Sequence, residues 1–131
     1  MAAITDLNIL LNSMSPELVE GEYVFCTVND ALTHYSHLEP LATFREKEGL
    51  TLVLDKQQAI ENELQFDGVF SLITLTVHSS LEAVGLTAAF ATKLASYDIS
   101  ANVIAGYYHD HVFVQKEKSA MAMSALTEFA L

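Results

Sequence analysis

The sequence predicts an α+β fold made of two similarly ordered halves, residues 1–66 and 67–131. Three observations carry this prediction. Strand-like runs of aromatic and β-branched residues alternate with stretches whose apolar residues recur at helical spacing. The second half reads strand–helix–strand–strand–helix, and the first, after a leading helix, reads strand–loop–strand–strand–helix. The hairpin-to-helix segments also align without gaps. LTLVLDKQQA (50–59) lies over HVFVQKEKSA (111–120) at an offset of 61, with Val53 on Val114 and Ala59 on Ala120. We read this as a degenerate internal duplication.

The elements follow in order. Ile4, Leu7, Leu10, Leu11 and Met14 form one stripe of the leading helix. SPELVEG (15–21) reads as a turn punctuated by Pro16 and Gly21. EYVFCTV (22–28) is a strand, and the polar stretch 29–40, with His34 and His37, is a loop or short irregular helix ending at Pro40. LATFREKEGLTLVL (41–54) is a hairpin with Gly49 at its turn. Asp55 caps a helix running to about Leu64, with Gln58 at capping-box spacing.

VFSLITLTV (69–77) is the strongest strand, with Ile73, Leu75 and Val77 on one side and Leu72, Thr74 and Thr76 on the other. Ser79 and Ser80 open a helix, with Glu82 at capping-box distance from Ser79. Leu86, Phe90 and Leu94 form its apolar face, which Ala83 and Val84 begin, and Asp98 ends it. ISANVIAGYY is a strand, HD a turn and HVFVQ a strand. A last helix over 117–129 aligns Ala120, Met123, Leu126 and Ala130.

Composition narrows the function. A chain of 131 residues buries enough surface to fold without a disulfide or metal staple. Cys26 is the only cysteine, which excludes an internal disulfide and a cysteine-rich zinc site. No apolar run approaches the length of a membrane span, and MAAITDLNIL lacks the basic start of a secretory signal, so the expected location is cytoplasmic. The net charge of −11 repels nucleic acid and anionic membranes. It is uneven: residues 1–65 carry 11 acidic and 3 basic groups, and residues 66–131 carry 6 and 3. A hydrophobic content of 51% and a mean hydropathy of +0.29 point to apolar surface beyond a monomer's needs, as in an oligomer interface.

AGYYHDHVFV (105–114) places His109, Asp110 and His111 together. Two imidazoles two residues apart on a strand hold a metal only if further ligands converge, and His78 is the one nearby histidine. No HExxH-type spacing is present, so turn or edge-strand histidines are the simpler reading. No G-x-S-x-G elbow is present, and Cys26, between Phe25 and Val28, reads as a small core residue. The helix start after Ser80 has free N–H groups that suit a carboxylate or phosphate. Gly85, in its first turns, lets a ligand or another helix approach; a capped core helix accounts for the same residues.

The stretch TLTVHSSLEAVGLTAAFATKLASYDISANVIAGYYHDHVFV (74–114) resembles an ACT domain. Over nearly its full length the chain is similar to the small bacterial proteins of the ACT_3/ACT_7 type, formerly DUF2241. The resemblance implies a ferredoxin-like βαββαβ fold, an antiparallel sheet with helices packed on one face, in two tandem ACT-like halves. It implies a non-catalytic regulatory protein that binds a small ligand, an amino acid first among them, needs no cofactor and forms a homo-oligomer. The ligand's carboxylate or amino group would meet Ser79, Ser80, Leu81, Val84 and Gly85. Asn102 and Ile104 would line the pocket, and Asp110 would pair an amino or guanidinium group. Two other classes stay open: an interaction module using the face of strand 69–77, and a metal-dependent enzyme using His78, His109 and His111.

Overall fold

Residues 16–28, of which only the last seven were expected to be extended, form one long strand, β1 (Pro16–Val28), in the computed structural model. The structure describes residues 14–76 and 85–130. The turn expected at SPELVEG is therefore a correction. Pro16 is the first residue of β1, where a missing N–H is tolerated. Gly21 carries the strand through a φ of +117°, a backbone conformation that side-chain-bearing residues rarely adopt. The stripe expected over residues 4–11 lies outside the described residues, and its last member, Met14, is buried.

Two compact units result, Met1–Glu20 with Ser71–Leu131, and Gly21–Phe70. In the unit Gly21–Phe70 the strand order is β2 (Ala42–Glu46), β3 (Gly49–Asp55) and the second part of β1. β3 is antiparallel to both neighbours, from Tyr23↔Asp55 to Val28↔Leu50 on one side and from Ala42↔Val53 to Glu46↔Gly49 on the other. Alternation puts Val24, Cys26, Val28, Leu50, Leu52 and Leu54 on one face, and Leu38 and Ala59 complete that core. The hairpin turn is Lys47–Glu48, so Gly49 is the first residue of β3 rather than part of the turn. Asp55 caps α1 (Lys56–Glu61), its Oδ1 accepting from the Gln57 N–H at 2.8 Å. The segment 29–40 contains two 3-10 turns, Leu32–His34 and Ser36–Leu38.

In the other unit the strands run in the order β1 (its first residues), β4 (Phe70–Leu75), β6 (Asp110–Gln115), β5 (Asn102–Ala105). The three strands of the sequence reading are thus joined by a fourth from Pro16–Glu20, and the Thr76 N–H bonds the Ser15 carbonyl at 2.9 Å. α2 (Leu86–Ala95) and α3 (Ser119–Thr127) cover one face of this sheet. Their Leu86, Phe90, Leu94, Ala122, Ala125 and Leu126 pack against Ile73, Leu75, Val112 and Val114. This is the expected antiparallel sheet with helices on one face.

Two helix expectations need correction. α2 begins at Leu86, and Gly85 precedes it at φ +92°, a left-handed residue that a continuous helix cannot contain. In α3 the buried positions are Ala122, Ala125 and Leu126, while Ala120 is exposed. SAMAMSALT has apolar residues at nearly every phase, so its spacing did not fix which side faces inward.

Candidate functional site

The β5–β6 hairpin carries the polar triplet. Strand propensity predicts a strand through Tyr107 and Tyr108 with HD as the turn; the structure reverses this. Gly106 N–H donates to the His109 carbonyl at 2.9 Å, and Tyr107 and Tyr108 form the tip. They are 75% and 64% exposed and meet edge to face, with ring centroids 5.0 Å apart. Asp110 opens β6 opposite Ala105. The register is set by burial: Val112 and Val114 reach the helix-covered core, and a one-residue slip would turn both to the opposite face.

Alternation then sorts the expected site residues. Asp110 shares the side of Val112 and Val114. Asn102 lies opposite Phe113 and Ile104 opposite His111, so these four share the other side. The structure therefore does not bring Asn102 and Ile104 onto the face of Asp110. Asn102 Nδ2 donates instead to the Phe113 carbonyl at 3.2 Å. Gly85 stands at the start of α2. Ser79, Ser80, Leu81 and Val84 lie outside the described residues, as does His78.

One cross-strand contact places the triplet in the fold. His111 Nδ1 lies 3.0 Å from Thr74 Oγ1. His111 is the second residue of β6 and Thr74 the last but one of β4, so Asp110 sits at the end of β4. From that end the chain passes through 77–84 to Gly85. The Asp110 carboxylate takes no hydrogen bond from a described residue. Burial pushes its pKa up, and the neighbouring His111 and then His109 pull it partly back. Burial lowers the pKa of His111, His109 adds to that, and Asp110 opposes it. His109 Nδ1 is buried with no hydrogen-bond partner among the described residues. Thr74 carried no sequence signal beyond its place on the half-polar side of its strand.

A partly buried carboxylate with no hydrogen bond from a described residue suits a cationic nitrogen, which would supply charged donors to it. A metal is less well served: among the described residues no group of three His, Cys, Asp or Glu side chains is placed to hold one. The unit Gly21–Phe70 has a separate open depression of about 440 Å³, lined partly by Glu39, Asp55 and Glu61.

Residues 2–71 match one ACT domain model and residues 70–128 match another. The chain belongs to the ACT domain family. This ACT protein is 69% identical to a Vibrio cholerae protein of unknown function, named as a possible transport protein. That match covers 95% of this chain and 96% of the other, with a TM-score of 0.89. An Agrobacterium tumefaciens protein is 15% identical over 89% of each chain, with a TM-score of 0.71. Aspartokinase III of E. coli, solved with aspartate and ADP, is 12% identical over 88% of this chain and 33% of its own, with a TM-score of 0.63. These last two share the ACT fold. No curated protein matches this ACT chain. Among its described residues no helix is long and apolar enough to cross a membrane.

Proposed function

We propose that this protein is a non-catalytic, cytoplasmic regulator that binds an amino acid in its 67–131 half, where Asp110 pairs the ligand's amino or guanidinium group. One observation carries the reading: Asp110 is a partly buried carboxylate that takes no hydrogen bond from a described residue, at the strand end from which the chain runs to Gly85. A fold that keeps an ionisable group where burial disfavours its charge gives up stability there, as binding sites do. Ser79, Ser80, Leu81, Val84 and Gly85 supply backbone to the ligand's carboxylate. β5 is the outer strand of its unit, so Asn102 and Ile104 join the site through a neighbouring copy in a homo-oligomer. The aspartate held by E. coli aspartokinase III makes amino acids the first class to try. Binding acts by linkage, drawing the population toward the assembly or partner-bound state that holds the ligand better.

Thermal unfolding of the tag-free protein with each of the twenty amino acids tests this. A ligand at about 100 times its Kd adds about 2.7 kcal/mol to the folded state, a rise in Tm of roughly ten degrees for a chain of this size. One amino acid is expected to stand out, and Asp110→Asn to lose the response. Asp110→Asn itself is expected to melt no lower than wild type at neutral pH, because the fold disfavours the charged carboxyl. At neutral pH the wild type carries that penalty, and it fades as pH falls through the raised Asp110 pKa. No response from any amino acid, or a response untouched in Asp110→Asn, refutes the reading.

A further inference from the structure

We propose that the β5–β6 hairpin is fastened to β4 by a proton-sensitive latch, the contact between His111 and Thr74, which loosens as pH falls. The contact is the described side-chain hydrogen bond between the hairpin and β4, with Nδ1 and Oγ1 3.0 Å apart. The other edge of the imidazole lies against the turn: a Cβ added to Gly106 would stand 3.2 Å from His111 Nε2 and 3.4 Å from Cδ2. The ring is thus clamped between a hydroxyl of one strand and the backbone that closes the hairpin.

A neutral imidazole fits this slot, because one nitrogen meets Thr74 and the ring face needs no water. A protonated ring must place a positive charge in the same partly buried slot. From β4 the ring meets Thr74, which carries no charge; across β5 it meets Ile104 and Gly106. On its own strand and turn, Asp110 favours the charged ring and His109 opposes it. Burial outweighs Asp110, so His111 binds a proton more weakly when latched than when free. The sign follows. The latch is at full strength above the ordinary histidine pKa and is lost as pH falls through the lowered value of the folded state. Asp110 acts in the opposite sense: its pKa lies above the ordinary value of 3.8, so it gains a proton more readily in the fold than out of it. Opening at His111 shifts its sequence neighbour Asp110, so the hairpin couples protons to that carboxylate whether or not a ligand is present.

Heteronuclear NMR of the full chain across the histidine range tests the latch. His111 is expected to titrate below the ordinary histidine value, with the amides of Gly106 and Thr74 shifting at the same midpoint. In His111→Asn, which reaches Thr74 without titrating, that transition is expected to vanish from both amides. Thr74→Val is expected to leave His111 titrating while the amide at position 74 no longer follows it. A His111 midpoint at or above the ordinary value, or a Gly106 transition that survives in His111→Asn, overturns the proposal.

Discussion

Replacing Phe90 by alanine is expected to lower the unfolding free energy by about 3–5 kcal/mol. Phe90 is fully buried in the middle of α2 and belongs to the cluster that joins both helices to β4 and β6. Ile73, Leu75, Val112 and Val114 lie beneath it, and Leu126 comes from α3. Removing the ring leaves a cavity that two helices and a sheet cannot close without moving against each other, and a close-packed interior resists that. Urea unfolding reads the effect as a lower midpoint at an unchanged slope. Phe44, 70% exposed on β2, is the control: its alanine variant is expected to stay within about 0.5 kcal/mol of wild type. Equal losses at both positions would contradict the packing described for α2.

Gly49→Ala is expected to cost about 1–3 kcal/mol, although it adds one methyl group. The new Cβ would stand 2.7 Å from Thr27 Oγ1 and 2.9 Å from the Val28 carbonyl oxygen. The hydroxyl can rotate away. The carbonyl cannot, because Val28 pairs with Leu50 in the β1–β3 ladder, and moving it breaks the register there. The role of Gly49 is steric, since its φ is not among the positive ones. Calorimetric unfolding of Gly49→Ala, with and without Thr27→Ala, separates the two contacts. Partial recovery in the double variant is expected, and a neutral Gly49→Ala would show that the strands part there freely.

The sequence was legible where one period dominates. ITLTV (73–77) alternates apolar and polar residues, and Ile73 and Leu75 are fully buried in β4 as that alternation requires. Leu86, Phe90 and Leu94 repeat every four residues and form the inner face of α2. The 61-residue offset holds at the strands, where Gly49 and Asp110 each begin the second strand of a hairpin, and not in the helices, where Ala59 is buried and Ala120 exposed. It failed where local chemistry and tertiary pairing disagree. Pro16 and Gly21 spell a turn, yet the segment pairs as a strand because Gly21 absorbs a positive φ. Tyr107 and Tyr108 favour strands, yet they cap a hairpin whose register is set by Val112 and Val114. At the candidate site, Asp110 was visible as an acid in an apolar run. Its separation from Asn102 and Ile104 was not, because which side a residue faces depends on the cross-strand register, and the strand propensity of Tyr107 and Tyr108 hides where the turn falls.

The most direct test of the ligand reading is NMR titration of the labelled protein with the amino acid that stabilises it most. The account predicts shifts that saturate at Gly85 and along Gly106–His111, and that disappear in Asp110→Asn. Shifts confined to Gly21–Phe70, around Glu39, Asp55 and Glu61, would contradict it and place the ligand in the other unit.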